Sequence, residues 1–91
     1  MKIKKKMQIV NLPAEKYFYV ADGTVIKSLA ELPYALQSMS PETFASHVND
    51  EKNDFYNWVK DVFNHSTLAR KIKKVKRKET MAKKVFIEIF S

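Results

Sequence analysis

The stretch Asn53-Asp54-Phe55-Tyr56-Asn57-Trp58-Val59-Lys60-Asp61-Val62-Phe63 decides the fold class. Its apolar residues Phe55, Trp58, Val59, Val62 and Phe63 recur at i, i+3, i+4, i+7 and i+8. That is one face of an α-helix with a polar opposite side. Asn49, Asn53 and Asp54, just before the apolar run, suit the free backbone donors of a helix start. A polar residue buried there would also fix the corner between two helices.

Working backward, Ser40-Pro41-Glu42 opens a shorter helix, Pro41 to about Val48. Ser40 is the N-cap, Pro41 fits the first helical position, and Glu42 complements the positive helix end. Met39 and Phe44 take the two positions of a hydrophobic staple, and Phe44 and Val48 face inward. Ser28 and Glu31 have capping-box spacing, and Leu29, Leu32, Leu36 and Met39 share a helical face. Pro33 falls early, where a missing N–H costs least. Further back, Asp22-Gly23 sits between Tyr17-Phe18-Tyr19-Val20 and Thr24-Val25-Ile26. This pattern predicts a small hairpin closed by a two-residue turn with both turn residues at positive φ.

Forward of the central stretch, Asn64-His65-Ser66 ends the helix. Ser66 is the expected cap of the next one, and His65 favours the negative helix end. Leu68, Ala69, Ile72 and Val75 mark a fourth helix with a narrow apolar stripe. Lys76–Lys78 reads as a charged joint. For the final segment, Met81, Val85 and Ile89 fit a helix, while residues 85–90 also have strand propensity; the helix is favoured. The expected fold is mostly α: a compact domain of four or five helices with a small N-terminal β-hairpin. Its parts are a basic arm at 1–16, a helical core at 17–75 and a basic C-terminal segment at 76–91. The expected core is Phe18 or Tyr19, then Ile26, Leu29, Leu32, Leu36, Met39, Phe44, Val48, Phe55, Trp58, Val59, Val62, Leu68 and Ile72. Trp58→Ala is the single change expected to be most damaging.

The pattern Asp22-Gly23-Thr24-Val25-Ile26, then His47-Val48-Asn49, Asn53-Asp54-Phe55, Trp58-Val59 and Leu68-Ala69 resembles a small uncharacterised prokaryotic family. That family is common in archaea and described as a domain of unknown function. The resemblance covers roughly residues 17–72. It implies a compact helical domain and brings no activity or functional residues.

Composition excludes several function classes. The 91 residues are enough for one domain, and 45% hydrophobic content is too high for a disordered chain. With no cysteine, thiolate metal sites and cysteine nucleophiles are excluded. A single glycine, Gly23, excludes glycine-rich phosphate loops. Met1-Lys2-Ile3-Lys4-Lys5-Lys6 has the charge of a signal-peptide start. Asn11, Pro13, Glu15 and Lys16 interrupt the apolar stretch that should follow, so the default location is cytoplasmic. His47, Asp50, Glu51, Asp54, Asp61 and His65 hold the atoms of a metal site, but their spacing matches no ligand motif. His47 reads instead as a packed side chain hydrogen-bonded to backbone or Asn49. No metal, cofactor or catalysis is expected.

Charge supplies the functional lead. From Arg70 to the end there are nine basic residues and two acids, which account for the whole formal net charge of +7. If one helix continues through them, Arg70, Lys73, Lys74 and Arg77 share a face, with Lys71 and Lys78 to its side. Such a surface neutralises phosphates, and its dominance by lysine favours nonspecific backbone contact. The ordinary alternative is a solvated surface that aids solubility. The expected function is non-enzymatic nucleic-acid binding, RNA or DNA, through Arg70, Lys71, Lys73, Lys74, Arg77 and Lys78, helped by Lys4, Lys5 and Lys6. Tyr17, Tyr19, Tyr34 and Tyr56 are candidates for exposed aromatic contacts. The alternative is a protein-interaction module that meets an acidic partner through the basic helix, or that forms a homodimer or fills a partner groove through the apolar 85–90 stretch. Attachment to an anionic membrane surface is the weakest reading.

Overall fold

A computed structural model describes residues 12–90. Lys4, Lys5, Lys6 and most of the 1–16 arm lie outside the described residues. Among those described, strands β1 (Phe18–Tyr19) and β2 (Val25–Ile26) form an antiparallel hairpin, with Phe18 opposite Ile26 and Tyr19 opposite Val25. Five helices follow: α1 (Leu32–Ser38), α2 (Pro41–His47), α3 (Asp54–Phe63), α4 (Ser66–Ile72) and α5 (Lys78–Phe90). The mostly helical domain with a small hairpin is the architecture that the periodicity predicted.

Phe55 is the hub of the core. It is fully buried on α3, its ring stacked on Phe18 from the hairpin (centroids 4.5 Å apart) and on Phe44 from α2 (6.0 Å). Trp58 meets Phe18 edge-on at 5.6 Å and Phe63 at 4.9 Å, while its indole N–H donates to the Lys16 carbonyl at 2.8 Å. The hairpin and α2 therefore converge on one face of α3 through aromatic contacts, each worth roughly 0.5–1.5 kcal/mol beyond area burial. Every residue of the expected core is buried except Tyr19, which is exposed, and Val62, which packs against the core half-buried. The α5 residues Met81, Ala82, Val85 and Ile89 belong to the same core, and α5 packs on α1 and α4. The 81–90 segment is thus a helix. Burying Met81, Val85 and Ile89 on one stripe outweighs the strand propensity of its β-branched and aromatic residues.

Local chemistry explains the element ends and corrects three expectations. Ser40 caps α2 as expected, its hydroxyl accepting from the Thr43 N–H at 3.1 Å. The hairpin turn differs. The Gly23 N–H bonds to the Val20 carbonyl, and Gly23 alone among residues 20–24 has positive φ, at 97°. This is a three-residue loop, a type I turn followed by a glycine bulge, because only glycine takes the left-handed position cheaply. The Asp22 carboxylate accepts from the Thr24 N–H at 2.9 Å, and the Thr24 backbone and side chain hold it below the usual carboxylate range. The capping box is also incomplete. Ser28 makes no capping bond, and Glu31 accepts from the Lys27 N–H, because a 3-10 turn (Leu29–Glu31) precedes α1. Finally, His65 rather than Ser66 caps α4. Its buried ring accepts from the Leu68 N–H through Nδ1 at 3.3 Å, after Asn64 at φ 52° has turned the chain out of α3.

Phe55→Ala and Trp58→Ala are each expected to cost ~3–5 kcal/mol, read as a lowered urea midpoint. An unchanged midpoint in either variant would contradict this core.

Candidate functional site

The basic run does not form one helix face. α4 ends at Ile72, residues 73–77 form a joint, and α5 starts at Lys78. One side chain from outside the run meets the end of α4, where Ile72 is fully buried and Val75 partly so. The Asn53 side-chain amide then donates to the Ile72 carbonyl at 2.9 Å and the Lys73 carbonyl at 3.2 Å, satisfying acceptors that a continuing helix would have used. Arg70, Lys73, Lys74 and Arg77 are consequently spread over a helix end and a joint. All four stay exposed, and none makes an ion pair among the described residues.

Three other cations of the run are engaged. The Lys71 ammonium lies 2.9 Å from the buried Glu88 carboxylate, with His65 Nε2 3.9 Å from the other oxygen. This cluster joins α4 to α5. Lys78 reaches the Gln37 carbonyl at 3.3 Å and Glu79 at 3.4 Å. Lys76 pairs with the exposed Asp50 across the joint.

Lys60, Arg70 and Lys73 come together around Tyr56. A groove of about 270 Å³ between α3 and α4 is lined by Tyr56, Lys60, Ser66, Ala69, Arg70 and Lys73. It holds three cations and no carboxylate. The Lys60 and Lys73 ammonium groups approach the half-buried Tyr56 ring from 5.5 and 5.6 Å, close enough for cation–π attraction. Lys60 also has a loose, exposed contact of 3.7 Å with Asp61. A second groove of about 480 Å³ shares Tyr56 and Lys73 and continues along Lys74 and Lys76 to Asn49, Asp50 and Glu51. Lys60 is absent from the sequence-based site, and Tyr56 entered only among the tyrosines. The signal was available: Tyr56 and Lys60 are four apart on the polar side of α3. Asn53 brings this pair to the end of α4. It caps α3 by accepting from the Tyr56 N–H at 3.0 Å while its amide holds the α4 carbonyls.

His47 has a structural role. Its Nε2 accepts from the Ala21 N–H at 3.0 Å and its Nδ1 donates to Asp54 at 2.9 Å, linking the hairpin loop to the start of α3. Its ring packs on Phe18 and Phe55. Among the described residues no three His, Asp or Glu side chains are grouped to hold a metal ion. No described helix is long and apolar enough to cross a membrane. A scan of family models, a search of curated proteins and a search of solved structures each return no match.

Lys76 holds the Asp50 carboxyl below its ordinary value of 3.8. The pair therefore contributes above that value and is lost as pH falls through the lower folded-state pKa. An NMR titration is expected to give an Asp50 midpoint below 3.8, moving back toward 3.8 in Lys76→Ala. A wild-type midpoint at or above 3.8 would contradict the pairing.

Proposed function

We propose that this protein is a small basic nucleic-acid-binding protein that acts in the cytoplasm without catalysis, contacting the phosphate backbone through cations of α3, α4 and the α4–α5 joint. The observation that carries the reading is the groove lined by Lys60, Arg70 and Lys73 with no carboxylate. A cationic surface whose charges are not neutralised internally is suited to a polyanion. Lys74 and Arg77 extend it. Lys71 and Lys78 contribute less, since Glu88 and the Gln37 carbonyl already hold them. Lysine presents a compact charge rather than a planar fork, which favours contact independent of base sequence.

Mobility-shift titrations at two salt concentrations test the proposal. Affinity is expected to fall as salt rises, with a log–log slope of roughly −3 to −4 for about four phosphate contacts. Reversing Lys73, Lys74 and Arg77 to glutamate is expected to abolish the shift. No binding at low salt, or binding unaffected by the reversal, would refute it.

A second reading, a protein-interaction module, is favoured by the α1–α5 face. Tyr34 and Ile87 are more than half exposed there, and Phe86 lies edge-on to Tyr34 at 6.5 Å and 5.0 Å from Phe90. Lys83 and Lys84 are exposed on α5 and make no ion pair among the described residues. The occupant this chemistry suits is an acidic protein, because a second copy would bring lysines against lysines. Light scattering across a concentration series is expected to give a constant monomer mass. A mass that rises to that of a dimer would contradict an acidic partner as the occupant.

A further inference from the structure

We infer that the site around Tyr56 recognises single-stranded nucleic acid, with an unpaired base stacked on the Tyr56 ring and its neighbouring phosphates held by Lys60, Arg70 and Lys73. This rests on the proposed nucleic-acid binding and specifies which form is bound. Phosphate contact alone needs only cations. Here an aromatic ring is set among them, half-buried, as a wall shared by two grooves of about 270 and 480 Å³. Tyr56 and Lys73 are the two residues that both grooves share, so a strand passing from one to the other runs beside the ring.

The alternating chemistry suits a flexible strand better than a duplex. Base–aromatic stacking requires a base removed from its own stack, which a single strand offers and an intact duplex does not. The ring packs in part against the core, and Lys60 and Lys73 lie beside it; Lys73 has no carboxylate partner among the described residues and Lys60 only the loose Asp61 contact, so both are free to yield to a base. Each ammonium can move from the ring to a phosphate, because an exposed cation–π contact is weak. The α3–α4 groove has no carboxylate to repel the strand, whereas the larger groove ends at Asp50 and Glu51. The tightest part of the path is therefore from Arg70 and Lys60, over Tyr56, to Lys73 and Lys74. Backbone positions are set by Asn53, so the ring and the cations of α4 keep their relation before any ligand arrives.

Fluorescence anisotropy with the full chain distinguishes the possibilities. The probes are a dye-labelled uridine oligonucleotide, a thymidine oligonucleotide of the same length, and a duplex of that length. Tyr56→Leu is expected to weaken both single strands roughly tenfold, the scale of one lost base stack, and the duplex less than about twofold. Tyr56→Phe, which keeps the ring, is expected to retain wild-type affinity, and a urea midpoint of Tyr56→Leu close to wild type shows that its loss is not unfolding. Lys60→Gln with Lys73→Gln is expected to weaken all three ligands. Tighter uridine than thymidine binding would identify RNA as the natural form, and the reverse DNA; both support the inference. Equal losses for single strand and duplex in Tyr56→Leu, or no loss for either, would overturn it while leaving phosphate binding intact. Failure of the wild-type chain to bind any of the three would overturn both.

Discussion

Burial of Phe55 fixes the rotation of α3, and the placement of the surface follows from it. Once Phe55 is held between Phe18 and Phe44, with Val59 one turn on and equally buried, the helical period leaves Tyr56 and Lys60 on the outward side. A rotation that exposed Tyr56 fully would pull Phe55 out of contact with the hairpin and α2. Core packing and the chemistry of the outer face are therefore one constraint expressed on two sides of a single helix.

Asn53 supplies the second half of the geometry. One side chain starts α3 and finishes α4, by bonding a backbone N–H three residues ahead and two carbonyls about twenty residues away. Such a bond joins the ends of two elements rather than their middles, so it fixes where the α4 cations emerge relative to Tyr56. The joint that follows redirects the chain so that α5 can bury Met81, Val85 and Ile89 against α1 and α4. The lysines between them are then divided by their surroundings. Lys71 is bonded to a carboxylate that is itself buried, and breaking that bond is costly. The exposed Lys76–Asp50 pair is weak because solvent screens it, and its lysine can exchange for another anion.

Much of this was readable from residue order. The apolar stripe of α3, the Ser40-Pro41 start of α2 and the leucines of α1 each repeat a local signal that packing reinforces, so the core was legible almost residue by residue. The hairpin was legible in position but not in turn type, because Asp-Gly serves both a two-residue turn and a glycine bulge. The break after Ile72 was not legible. Lysines and arginines are good helix formers, and the group that meets the end of α4 comes from Asn53, not from the run itself. His65 as a buried cap and Glu88 as a buried partner of Lys71 depend on contacts between α4 and α5 that sequence spacing does not encode. For the same reason the candidate site moved, from a continuous face of α4 to a groove between α3 and α4 that draws in Tyr56 and Lys60.

The most direct test of a preassembled cationic and aromatic surface on α3 and α4 is an amide chemical-shift map of the isotope-labelled chain titrated with a uridine oligonucleotide. The account predicts that the largest shifts fall on Tyr56, Lys60, Arg70, Lys73 and Lys74, with α1 and the outer face of α5 unmoved. Shifts confined to Tyr34, Lys83 and Ile87, or no shifts at low salt, would contradict it.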